Sequence, residues 1–181
     1  MGFFTGKGDD GTTTLFGSEE RISKASCQTE LLGTLDELNT LIGVCRAKSS
    51  NFKFEIGNTA LTSTLEQVQQ DVFIIQAVVA GSPKTFGGDR AKWLESIMAD
   101  IERDVPVVKT FLLPGGTELS GLLDYTRTIA RRVERVLVAQ PDIKNFPSEI
   151  LRYLNRLSSL LYALVRFVNY KQGVKEVPPS Y

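Results

Sequence analysis

The residues of this chain that could do chemistry fall into separate groups, the first just inside the amino terminus. Thr5-Gly6-Lys7-Gly8-Asp9-Asp10-Gly11-Thr12-Thr13-Thr14 sets three glycines and four threonines among a lysine and two aspartates. Glycines let backbone N–H groups turn toward a common point, and threonine hydroxyls and an ammonium add donors around it. That is the donor set of a polyanion cradle, whose commonest ligand is a nucleoside triphosphate. A solvated chain end has the same composition, so the segment alone supports both readings. Gly6-x-Gly8-x-x-Gly11 also spells a dinucleotide-binding fingerprint, but only Phe3-Phe4 precede it where a strand is required, and a β-branched threonine run follows where a helix must open. No Gly-Lys-Ser/Thr closes the run, which excludes a Walker loop.

The second group is Arg127, Thr128, Arg131, Arg132, Glu134 and Arg135. Arg127, Arg131 and Glu134 fall at i, i+4 and i+7, one stripe of a helix opposite much of its apolar face. Such a stripe can clamp phosphates while the carboxylate holds a guanidinium or a ribose hydroxyl; it is equally a solvated face with internal ion pairs. Asp36 and Glu37 straddle the border of another apolar face, where a carboxylate that is partly buried needs a cationic partner. A plain exposed acidic pair is the alternative, and the better account of Glu37. Arg152, Asn155, Ser159, Tyr162 and Arg166 form a further polar stripe, in which Asn155 either reads a base edge or sugar or is an ordinary surface residue.

Histidine is absent. This removes the usual general base, the commonest transition-metal ligand and any Ser-His or Cys-His nucleophile pair. Twenty-one basic and twenty-one acidic residues cancel, so nothing favours a general nucleic-acid or anionic-membrane surface. No apolar run approaches a membrane span and no signal-peptide core is present, so a soluble, cytoplasmic protein is expected. If Cys27 and Cys45 share a helix they lie about 27 Å apart, beyond disulfide reach, and both are expected to fill the core.

The elements that must position these groups are helical. Leu31, Leu35, Leu38, Ile42 and Cys45 predict a helix from about Cys27 to Lys48. Leu61, Leu65, Val68, Val72, Ile75 and Val79 predict a second, capped near Asn58 and stopped by Gly81-Ser82-Pro83. A third spans Asp89 to about Val105. A fourth, capped by Thr117, buries Leu119, Leu122, Ile129, Val133 and Val136 and halts at Pro141. The fifth runs from Ser148 to near Gly173 with Leu151, Leu154, Ser158, Leu161, Val165 and Val168 inward. With no convincing run of strands, the 181 residues form one all-α domain, a five-helix bundle. Residues 1–25 make the amino-terminal loop and 174–181 a tail, loose from Val177 onward. Val107 to Leu113 is extended and apolar, either a buried crossover or the lining of a pocket.

In their order and spacing these segments resemble the ATP:cob(I)alamin adenosyltransferases of the propanediol-utilisation type. The stretches that carry the resemblance are the cradle from Thr5 to Thr13, Ser23-Lys24, Gly33-Thr34-Leu35-Asp36-Glu37-Leu38-Asn39, Phe111 to Gly116, Arg127 to Arg135 and Tyr153 to Ser158. They span nearly the whole chain, and the ordered set is specific where no single stretch is. The resemblance implies a ferritin-like bundle assembled as a homotrimer, with ATP and cobalamin bound between neighbouring subunits. It implies that Thr5, Gly6, Lys7, Gly8, Thr13, Thr14 and Lys24 wrap the triphosphate with Mg²⁺, and that Arg131, Arg132, Glu134, Arg135 and Asn155 complete the nucleotide site. It further implies that Asp36 pairs with Arg127 across the subunit boundary and that Phe111 lies against the corrin, helping to displace the lower axial ligand of cob(II)alamin. A reductase and an adenosylcobalamin-dependent enzyme are the implied partners.

The bare chemistry agrees. Cob(I)alamin needs no base to attack the 5′ carbon of ATP, so the protein's task is alignment and stabilisation of the departing triphosphate. Departures from the family pattern are Ala25 to Thr29 after Ser23-Lys24, Ser159 where an aspartate is common, and Phe4 for a usual tyrosine. The competing readings are a silent nucleotide-binding bundle, a corrinoid-delivery chaperone and a purely structural bundle.

Overall fold

The computed structural model describes residues 4–181, so Phe3 and the start of the 1–25 segment lie outside the described residues. Five helices carry the fold: α1 (Cys27–Ser49), α2 (Leu61–Val79), α3 (Asp89–Asp104), α4 (Glu118–Val138) and α5 (Ser148–Lys171). Their ends are set by local chemistry. Ser26 accepts a hydrogen bond from the Thr29 amide to open α1, and Thr117 and Ser120 form a reciprocal capping box on α4. The expected cap at Asn58 is not used. The chain enters α2 from a small hairpin, β3 (Glu55–Ile56) with β4 (Thr59–Ala60), which leaves Asn58 in the turn and Ala60 at the cap position.

The helices line up as α2, α1, α4, α5 and α3, each packed on the next. Leu35, Leu38, Ile42, Leu65, Val68, Leu94, Val133 and Leu161 are among the side chains fully removed from water, each stabilising the fold by roughly 1.5–3 kcal/mol. α5 is buried on two sides, which is why Tyr153, Leu157, Leu160, Leu164 and Phe167 join the core beside the expected row. On α4 the core row is Leu119, Leu123, Ile129, Val133 and Leu137, while Leu122 and Val136 sit at its edge. Between α2 and α3, buried Asp71 accepts from Gln67 and from Arg90, whose guanidinium also lies 5.3 Å from the Phe86 ring centroid. Phe86 stands edge-on to Tyr153, so one polar pair fixes the α2–α3 linker against α5.

Two sequence expectations are corrected, and the threonine run takes on a structure that was not foreseen. The threonine run is a strand: β1 (Thr12–Thr14) pairs antiparallel with β2 (Arg21–Ser23), where β-branched residues are at home. Cys45 is buried as expected, but Cys27 is exposed, because it opens α1 rather than lying along its apolar row. The carboxyl-terminal segment is tied down as far as Val177, whose carbonyl accepts from the Leu113 amide at 2.9 Å.

Candidate functional site

The amino-terminal loop is ordered by its own residues. Arg21, on the strand paired with β1, donates to the Lys7 carbonyl, to Thr12 Oγ1 at 2.6 Å and to Asp10 Oδ1 at 3.1 Å. Asp10 also accepts from the Thr12 hydroxyl and amide, and these bonds, followed by the Arg21 hydrogen bond and then its charge, lower the carboxyl pKa from 3.8 to about 2. Lys24 Nζ donates to the Gly8 carbonyl at 2.7 Å. A Cβ at position 8 would stand 2.8 Å from that Nζ and 3.2 Å from the Thr12 carbonyl oxygen, so a side chain there would push the Lys24 ammonium aside. Arg21 was not singled out by sequence; pairing of the threonine run with a second strand is the signal that reveals it.

The Val107–Leu113 segment resolves as the lining of a pocket. Phe111 is 80% exposed and projects over an open cleft of about 900 Å³ between this loop, α3, α4 and α5. Arg127 and Arg131 of α4 and Ser159 and Tyr162 of α5 face the same space. A second cleft, about 450 Å³, is lined by Arg131, Glu134, Arg135 and Asn155. Arg131 therefore belongs to both. Asn155 donates to Glu134 Oε1 at 2.9 Å and accepts from Arg156 at 2.7 Å, which fixes its amide between the two helices.

Other expected site residues go elsewhere. Arg132 turns toward α1 and pairs with Glu37, the carboxylate expected to be merely solvated. Arg127 is bonded within its own helix, its Nε donating to Asp124 at 2.5 Å with both side chains largely buried. Asp36 is exposed, and no ion pair to it forms among the described residues. Thr5, Gly6, Lys7, Gly8, Thr13, Thr14 and Lys24 line neither cleft of the same chain. Asp124, missed in the sequence, was visible as the i, i+3 partner of Arg127.

No group of three or more histidine, cysteine or acidic residues that could hold a metal occurs among the described residues. Nor is any described helix long and apolar enough to cross a membrane.

The fold is a five-helix bundle with two adjoining clefts, and comparison with known proteins places it. The cobalamin adenosyltransferase family model matches residues 3–168. The corrinoid adenosyltransferase of Bacillus subtilis (strain 168) is 35% identical, the alignment covering 98% of this chain and 91% of that protein. The corrinoid adenosyltransferase PduO of Salmonella typhimurium is 35% identical over 92% of this chain, which spans about half (49%) of that longer protein. Among solved structures, a variant PduO-type ATP:corrinoid adenosyltransferase from Lactobacillus reuteri complexed with cobalamin and ATP superposes with a TM-score of 0.86 at 28% identity, covering 99% of this chain and all (100%) of that one. A second variant of that enzyme, complexed with ATP, gives 0.85 at 29% identity, covering 98% and 100% of the two chains. The chain belongs to the cobalamin adenosyltransferase family.

Proposed function

We propose that this protein transfers the 5′-deoxyadenosyl group of ATP to the cobalt of a reduced corrinoid, giving the adenosylated corrinoid and triphosphate. The observation that carries this reading is Arg131. It is shared by a wide cleft that suits a flat macrocycle and a smaller polar cleft that suits a nucleotide. Two reactants seated there would meet at one guanidinium. Cob(I)alamin supplies the electron pair that forms the cobalt–carbon bond, and the C5′–oxygen bond breaks with its pair on triphosphate. No base is needed for this step, which suits a chain without histidine.

The protein's contribution is alignment and charge. Arg131 and Arg135, with Lys7 and Lys24 from the cradle, stabilise the leaving triphosphate through charge-assisted bonds. Glu134 and Asn155, already bonded to each other, hold the nucleoside. Phe111 crowds the lower face of the corrin, favouring a four-coordinate cob(II) state that is easier to reduce. Mg²⁺ fits as an ion carried by the triphosphate, because the described residues offer no cluster of three or more acidic, histidine or cysteine ligands to hold it on their own.

A neighbouring copy completes the site in this reading. The cradle stands outside both clefts of its own chain and Asp36 faces outward, which supports a homotrimer in which Asp36 reaches Arg127 across the boundary. A one-electron reductant for cob(II) and an enzyme consuming the adenosylated product follow as partners, all in the cytoplasm where ATP is held. The test is anaerobic incubation of chemically reduced cobalamin with ATP and the protein. Appearance of the adenosylcobalamin spectrum supports the reading; ATP binding with no alkylated corrinoid would make the protein a nucleotide-binding bundle instead.

A further inference from the structure

Phe111 is 80% exposed, so its own contacts do little to hold it in place. Its loop has scant internal support: among the described residues, the sole backbone amide from Val107 to Leu113 with a backbone partner is that of Leu113. The loop must be fixed from outside, and three anchors do so. Arg166 of α5 donates to the Pro106 carbonyl at 3.2 Å, and Asn169 of α5 donates to the Gly115 carbonyl at 3.1 Å. The third is the Leu113 amide, which donates to the Val177 carbonyl. Gly116 (φ 124°) lets the loop approach so closely that a Cβ there would collide with Asn169 Oδ1.

One residue links all three anchors, two through its side chain and the third through the chain. Glu176 accepts from Arg166 Nε at 2.5 Å through one carboxylate oxygen and from Asn169 Nδ2 at 3.1 Å through the other, and it immediately precedes Val177. Arg166 and Glu176 keep only 13% and 16% of their side-chain surface exposed, so the pair is shielded from screening by salt. We propose that Glu176 is a positioning residue for the transfer reaction: the carboxyl-terminal segment straps the Phe111 loop onto α5 and so sets where the aromatic ring meets the corrin. This rests on the role given above to Phe111.

The experiment compares wild type, Glu176→Gln and Glu176→Asp, with Phe111→Ala as reference. Hydrogen exchange of the Leu113 amide, which donates to the Val177 carbonyl, reads the strap, and the four-coordinate cob(II)alamin signal with ATP present reads its use. Glu176→Gln keeps the side chain's size but removes the charge facing Arg166. It is expected to bind ATP as wild type does and to exchange its Leu113 amide on the order of tenfold faster. It is also expected to lose most of the four-coordinate signal, yet still adenosylate prereduced cobalamin. Glu176→Asp, which retains the charge, is expected to lie between wild type and Glu176→Gln and stands in if the latter does not fold. Unchanged exchange overturns the proposal. So does a full four-coordinate signal in Glu176→Gln when Phe111→Ala has lost it. If exchange rises but the signal persists in Phe111→Ala, the strap stands and the role of Phe111 is what fails.

Discussion

Arg131 and Arg132, adjacent in sequence, serve different neighbours: Arg131 lines both clefts, and Arg132 crosses to Glu37 on α1. The first is poised toward ligand and the second is spent on helix contact. Arg131→Ala is expected to weaken ATP binding by about 1.5–3 kcal/mol, the worth of a charge-assisted bond. Arg132→Ala removes a half-exposed ion pair and is expected to cost at most about 1 kcal/mol of stability, with a smaller effect on ATP. Calorimetric titration of ATP into both variants checks this; equal losses would show that the two arginines share one role.

Phe111→Ala separates a core residue from a ligand-facing one. A buried phenylalanine would cost about 3–5 kcal/mol on truncation. At 80% exposure no such loss is expected, and the thermal midpoint should stay near that of wild type. Activity with prereduced cobalamin should persist while activity from cob(II)alamin with a weak reductant falls. A cooperative loss of stability that removes both activities would return Phe111 to the core.

The Phe111 loop and the amino-terminal cradle were read from sequence with unequal success, and the reason is physical. The helical rows on α1 and α2 were legible because each helix buries one face, so a single period shows it. On α5 two faces are buried, and Tyr153, Leu157 and Phe167 fall outside any one row. The cradle's composition was legible, but its order depends on Arg21, which reaches back to Lys7 and Asp10 across fourteen and eleven positions. Contacts of that span leave no local periodicity. The same holds for Glu176, whose segment reads as a tail until Arg166 and Asn169 are brought beside it.

The loop should tolerate acid. Asp10 titrates at about 2 rather than 3.8, so its contribution to loop order is complete above about pH 4 and is lost as pH falls through about 2. The Thr12 hydroxyl bond is the largest single cause, so Thr12→Val should raise the Asp10 midpoint, as should Arg21→Ala, which removes a further bond and a charge. Carboxyl-carbon magnetic resonance titration measures each midpoint. A wild-type value at the ordinary carboxylate position would contradict the hydrogen-bonded loop.

The proposed sharing of the site between chains makes a prediction by mixing. Asp36→Ala and Phe111→Ala homo-oligomers should each be impaired in conversion of cob(II)alamin. Unfolded together and refolded, they should regain activity, since some boundaries join an intact Asp36 face to an intact Phe111 cleft. No recovery in mixed oligomers confirmed by mass would place Asp36 and Phe111 in one chain's site. Sedimentation equilibrium supplies the companion measurement, a trimer being the expected species.

The central claim is that the adenosyl carbon moves to cobalt and triphosphate leaves whole. ATP carrying an isotopic label at C5′, incubated anaerobically with cob(I)alamin and the protein, tests it most directly. The account predicts label on the corrinoid in a one-to-one ratio with inorganic triphosphate, both absent when the protein is omitted and both sharply reduced with Arg131→Ala. Label retained in ATP or found in ADP, with the corrinoid unlabelled, would contradict it.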